Sequence, residues 1–204
     1  MFELKLCKTL LFLIIFFTLF IGCNLSTPLP TPTPIEIEKT EIPSYILSTI
    51  TNVAELKQWL WQNYNYTSDE IWSGYSDYPL TPAEFFMSEI LINGVPVSKN
   101  TLIGDCEDYA GLAAYLLWKC FDCQSYIAII TLTPYLARAI AYGISPDGNC
   151  IVVNAPLVNI QYATINDYLS DYYSGKKISL LFKLENYLNS LYLQGHHQYW
   201  DEEI

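Results

Sequence analysis

The chain has 204 residues, a formal charge of −11, an apolar share of 51% and an aromatic share of 15%. That much apolar material excludes a disordered chain and can fill the core of one ordinary domain. The negative charge excludes nucleic acid as a partner, because long-range repulsion opposes any polyanion.

Lys5 and Lys8 precede an apolar run over 10–22 that only Thr18 interrupts. A membrane-spanning helix needs about 20 apolar residues, so this run is short for a permanent span. It matches a secretory signal in length and charge placement. Leu19-Phe20-Ile21-Gly22-Cys23 closes it and resembles a lipobox, in which a small residue precedes a cysteine that receives lipid; Phe20 stands where leucine is usual. The alternative is an uncleaved signal anchor with an incidental cysteine. The predicted organisation is a signal peptide over 1–22, a lipid-anchored Pro/Thr-rich linker over 23–41 and a folded domain over 42–204. Membrane lipid on Cys23 is then the first expected partner, and the expected location is extracytoplasmic, anchored to the cell membrane. Prolines 28, 30, 32 and 34 favour extended polyproline structure and a semi-rigid spacer. Residues 35–41 alternate charged and apolar and read as spacer or as a first edge strand.

Within the domain, Thr51 or Asn52 caps a helix to about Asn63, with Val53, Leu56, Trp59 and Leu60 on one face. Residues 64–79, rich in Tyr, Ser and Asp, read as an irregular loop. Thr81-Pro82-Ala83-Glu84 is a helix start, with capping hydroxyl, proline at the first position and acid near the positive end. This helix would carry Phe85, Phe86, Ile90 and Leu91, and Asn93-Gly94 would end it or make a turn. A third helix opens at 104–106 and runs to about Trp118. Strands follow over 125–132, 139–144 and 150–155, the last two joined by the turn Ser145-Pro146-Asp147-Gly148-Asn149. Two helices close the chain, over 165–173 and 179–193. The last carries Leu181, Leu184, Leu188 and Leu191 as a buried stripe, with Gly175 and Gly195 as stops. Helices, then antiparallel strands, then helices make the class α+β.

Of the cysteines, Cys7 lies in the signal and Cys106, Cys120, Cys123 and Cys150 belong to the domain. Cys120-Phe121-Asp122-Cys123 has redox-motif spacing without a βαβ surround, and no second soft pair is present to complete a metal site. A structural disulfide among Cys120, Cys123 and Cys150, or plain buried thiols, is expected, with no metal and no cofactor. Cys106 is different, because Gly104-Asp105-Cys106-Glu107-Asp108-Tyr109-Ala110 sets a thiol at a helix start. Unpaired backbone N–H groups and the helix dipole there favour the thiolate and can stabilise an oxyanion. Asp105, Glu107 and Asp108 add negative charge that works against the thiolate. The plain alternative is a buried cysteine under an ordinary helix cap.

That heptapeptide, followed by an apolar helix and a strand pair, resembles the transglutaminase-like superfamily, whose core is papain-like. Tyr64-Asn65-Tyr66 with Asp69, and Leu80-Thr81-Pro82-Ala83-Glu84, also resemble the family's approach to its cysteine. The likeness covers about 51–155, with an inserted loop between Met87 and Ile103. It implies a cysteine-bearing helix packed on a small antiparallel sheet and flanked by further helices. It also implies Cys106 as nucleophile, a histidine on the following strand and an aspartate or asparagine on the next. Asn154 falls at the third-residue position. The histidine position, within Leu136-Ala137-Arg138-Ala139-Ile140-Ala141-Tyr142, holds Arg138. A guanidinium stays protonated and can neither accept the thiol proton nor return one to a leaving group, although its charge can favour a thiolate. The only histidines, His196 and His197, lie beyond the last predicted helix.

The expectation is therefore a membrane-anchored extracytoplasmic transglutaminase-like domain, degenerate and non-catalytic, that binds a peptide or cell-envelope ligand. Trp72, Tyr75, Tyr78, Tyr109 and Tyr142 are the candidates for lining its cleft. The alternative is an active cysteine hydrolase or transamidase acting on peptide or amide bonds through Cys106, its base being His196, His197 or an acid such as Asp108. Thiol–disulfide chemistry at Cys120 and Cys123 is a third.

Overall fold

A computed structural model describes residues 42–194 apart from 76, 77, 100, 101, 156 and 175. The expectations for 1–41, including Cys7 and Cys23, and for Gly175, Gly195, His196 and His197 lie outside these residues. No helix among the described residues is long and apolar enough to cross a membrane.

Apolar runs separated by short turn sequences fold residues 124–162 into an antiparallel meander. Its strands are β5 (Gln124–Thr133), β6 (Leu136–Ile144), β7 (Cys150–Asn154) and β8 (Leu157–Tyr162), and β9 (Ile178–Lys183) adds to the free side of β5. The order is β8-β7-β6-β5-β9, with every pair antiparallel. The predicted turn between β6 and β7 is present, Ser145 N–H donating to Asn149 O at 3.0 Å.

Alternation along the strands divides the core in two. Ile127, Ile129, Ala139, Ala141, Ile151 and Val153 face the long helix α4 (Cys106–Phe121). Ala128, Ile130, Ile140, Tyr142 and Val152 face α5 (Ile165–Tyr172) through Tyr168 and Leu169. Helix α4 is buried from Glu107 to Leu117, and from Tyr109 to Leu117 it carries no charged side chain, as suits a helix enclosed on all sides. The α4 side also receives α1 (Ser44–Thr49), α2 (Val53–Asn63) and α6 (Leu184–Gln194) through Ile46, Leu56, Leu60, Leu184, Leu188 and Leu191. Asn52 caps α2 as expected, its side chain accepting from Glu55 N–H at 3.0 Å. The α+β class, with the cysteine-bearing helix packed on an antiparallel sheet and flanked by helices, is as the sequence predicts.

Three stretches differ from expectation. Residues 64–79 hold β1 (Tyr64–Tyr66) and a short helix α3 (Asp69–Ser73); β1 pairs in parallel with β4 (Leu102–Gly104). The predicted helix after Thr81 is one 3₁₀ turn, Glu84–Phe86, followed by a hairpin of β2 (Glu89–Ile92) and β3 (Val95–Ser98). Asn93 and Gly94, at φ 51 and 78, make its turn, and Ile90 and Ile92 are buried with the period of a strand. The segment expected as one helix over 179–193 is β9 followed by α6. Leu181 therefore sits half exposed on a strand, while Leu184, Leu188 and Leu191 form the buried stripe.

Candidate functional site

The start of α4 is built by two carboxylates that the chain wraps around. Gly104 takes φ +152, and a Cβ there would fall on the Asp108 carboxylate. Asp108 Oδ1 accepts from Leu80 N–H at 2.5 Å and Oδ2 from Asp105 N–H at 3.3 Å. Asp69 accepts from Trp72 Nε1–H at 2.9 Å and from Tyr78 N–H at 2.5 Å. The loop from Tyr78 to Thr81 is thereby fastened to the helix, which is the physical role of the Asp69 and Leu80–Glu84 signals.

These acids are not free to ionise in the ordinary range. Burial pushes the Asp108 carboxyl well above it, and the charge of Asp69 adds to the effect. Burial likewise raises Asp69, whose carboxyl lies close to that of Asp108. Glu107 is held well above the carboxylate range, first by burial and then by a hydrogen bond with Asp105. Asp69, Asp105, Glu107 and Asp108 each offer an oxygen within 4.8 Å of the others. An all-oxygen set of this kind could hold a hard divalent cation, which would displace the protons.

A pH dependence follows. Three acids bind protons more tightly folded than unfolded, so their contribution is complete below the unfolded carboxylate range, about pH 4, and is lost as pH rises. Lys99, lowered to about 8 chiefly by burial, acts in the opposite sense only at higher pH. The melting temperature should fall between pH 5 and 7, by roughly 3–6 °C for each pKa unit of displacement realised in that window. Glu107→Gln should flatten the slope. A melting temperature that stays level or climbs over this range, followed by circular dichroism, would contradict the assignment.

Cys106 is the first residue of α4 and is half buried. Its Sγ accepts from Ala139 N–H at 3.4 Å and donates to Glu107 Oε2 at 3.3 Å. Asp108, the acid considered as a base, is turned away into the loop, so the acid beside the thiol is Glu107.

Arg138 on β6 and Asn154 on β7 are brought together. Arg138 Nε–H donates to Asn154 Oδ1 at 3.1 Å, Nη2–H to Ala155 O at 2.5 Å and Nη1–H to Tyr66 Oη at 3.4 Å. The sulfur is not among these partners. Asn154 is fixed in turn, its Nδ2 donating to Tyr168 Oη and Tyr173 Oη, both at 2.7 Å. Burial, and then the neighbouring Cys106, push the Tyr66 phenol up, so it remains a neutral hydrogen-bonding group.

A cleft of about 490 Å³ opens over Arg138, lined by Leu60, Trp61, Tyr64, Tyr66, Tyr109 and Ala155. Of the five aromatics expected there, only Tyr109 contributes. Trp72 and Tyr78 meet edge to face at 6.1 Å inside the loop that Asp69 holds, and Tyr75 lies against Tyr78. Tyr142 stacks on Tyr126 at 4.9 Å on the far face of the sheet. Trp61 and Tyr66 were missed. Trp61 stands on the polar side of α2 and is 71% exposed, an unusual place for so large an apolar ring and the one signal available in sequence.

No disulfide joins the remaining cysteines; Cys120, Cys123 and Cys150 are thiols. Cys123 and Cys150 belong to core clusters on opposite faces of the sheet. Burial pushes each of the three to about 11, which makes them inert packing groups and removes the basis for dithiol chemistry at Cys120 and Cys123.

No protein-family model matches the chain, and no curated protein sequence matches it. Among solved structures, Legionella pneumophila LapG in its calcium-bound form is similar at a TM-score of 0.40 and 20% identity, over 71% of this chain and 67% of that one. The EGTA-treated form gives a TM-score of 0.40 and 19% identity, over 71% and 66%.

Proposed function

We propose that the chain is a transglutaminase-like domain of the non-catalytic kind, held outside the cytoplasm by lipid on Cys23. It uses the cleft beside Cys106 to bind a peptide or another cell-envelope ligand. The observation that carries this is the guanidinium of Arg138, fixed on Asn154 Oδ1 where the resemblance requires an imidazole. Turnover at a thiol needs a group that takes a proton and gives it back at working pH. Arg138 cannot accept one. Glu107 bonds to the sulfur, and burial raises its carboxyl well above the ordinary range, which disfavours the charged form that would take the thiol proton. The Ala139 N–H still donates to the sulfur at the helix start, which favours a thiol that reacts once without a cycle.

Iodoacetamide should label Cys106 in the folded protein well ahead of Cys120, Cys123 and Cys150, as read by peptide mass mapping. Peptide amides and esters should be hydrolysed or transamidated no faster than by Cys106→Ala. Turnover that disappears in Cys106→Ala would restore the enzyme. The anchor has its own check: mass spectrometry of the mature chain should find it starting at a lipid-modified Cys23, and an unmodified Cys23 with the apolar run still attached would point to an uncleaved anchor.

A further inference from the structure

Arg138 is the only arginine of the chain, and it sits under a cleft whose other walls are apolar or aromatic. A guanidinium carries five N–H donors in a planar fork. Three are used, on Asn154, Ala155 and Tyr66, all of them neutral partners. By count, one N–H remains on each of Nη1 and Nη2. Among the described residues the ion pair within 4 Å is Lys183–Glu185, and Arg138 joins no carboxylate. The nearby acids do not neutralise it. Asp108 is turned into the Leu80 loop, and Glu107 bonds to the sulfur.

A part-buried cation with no counter-ion among the described residues is costly unless something supplies the charge. Here the guanidinium is also held rigid by its three bonds, so an anion that meets it loses little further freedom. Two N–H groups on adjacent terminal nitrogens match the two oxygens of a carboxylate. Tyr66 lies with its ring 5.6 Å from Arg138 Cζ, and Tyr64 and Tyr109 meet edge to face at 4.9 Å, giving flat apolar surfaces beside the charge. We infer that the cleft is a carboxylate-binding site and that Arg138 is its anion-recognising residue. The ligand presents a free carboxylate next to an apolar or planar group, as a peptide C-terminus or an acidic side chain does. This rests on the cleft being a binding site and adds the class of ligand.

Benzoate and benzamide form a matched pair of probes that differ in charge alone. Titrated into the full chain in detergent and followed by ligand-observed NMR, benzoate should bind at least tenfold more tightly than benzamide. Arg138→Met, which keeps the length and apolar stem, should bring the two within about twofold. A readout that needs no variant uses phenylglyoxal: benzoate, and not benzamide, should slow modification of Arg138 in the parent protein. Acetyl-Ala-Ala with a free terminus and acetyl-Ala-Glu-amide then separate the terminal from the side-chain source, with acetyl-Ala-Ala-amide as the uncharged control. Equal binding of benzoate and benzamide, no binding of benzoate, or a preference that survives Arg138→Met overturns the inference. None of these results creates Cys106-dependent turnover, which is what would overturn the non-catalytic function itself.

Discussion

Arg138→His is expected to give the chain Cys106-dependent ester hydrolysis on the order of a hundredfold above the parent, the low end of what general acid–base catalysis contributes. A partner for the new imidazole is already held at Asn154. Asn154 Oδ1 receives Arg138 Nε–H at 3.1 Å, and its amide is locked by two tyrosine hydroxyls, so an acceptor for an imidazole N–H is fixed in place. The sulfur opens α4 and lies 3.4 Å from Ala139 N, directly after position 138 on the strand. Histidine gives up the bond to Ala155 O and the contact with Tyr66, a loss of roughly 1–3 kcal/mol, which a core of this size should tolerate. Hydrolysis of a p-nitrophenyl ester should rise with an inflection near pH 6.5, the ordinary imidazole range. Cys106→Ala in the same background should remove it. A folded variant that stays silent would mean that the missing base is not what stops the site.

Much of this site was legible because its parts are local. Gly104 to Ala110 is one helix start, and Arg138 and Asn154 are read by position on neighbouring strands. A cap also announces itself: Asn52 accepts from the N–H group three residues on, as its side chain allows. What escaped was decided by distant partners. Ile178–Lys183 carries leucines that suit a helix stripe as well as a strand. It becomes β9 because Ser179 and its neighbours pair with Ile129 to Thr131, about fifty residues earlier. Phe85, Phe86, Ile90 and Leu91 fit a helical period too, and the hairpin prevails because Asn93-Gly94 is a two-residue turn. The cleft walls were misassigned for a related reason. Whether a tyrosine lines a cleft or fills a core depends on which face its strand or loop turns inward. Tyr142 and Tyr66 sit on opposite outcomes of that choice.

Gly104→Ala is expected to cost about 3 kcal/mol or more, enough to deplete the folded state of a marginally stable domain. Two effects add. At φ +152 an L-residue is strained, and the new methyl would occupy the space of the Asp108 carboxylate. That carboxylate cannot swing aside, because Leu80 N–H and Asp105 N–H hold it from two directions. Asp108→Ala alone should cost about 1–3 kcal/mol by leaving the buried Leu80 N–H without its acceptor. If collision dominates, the two changes are not additive, and Gly104→Ala should cost distinctly less once Asp108 is already alanine. Urea unfolding of the four proteins in the cycle measures this coupling. Additivity within about 0.5 kcal/mol would assign the glycine to backbone strain alone. In that event the close fit between Gly104 and Asp108 would not be what sets Cys106 at the helix start.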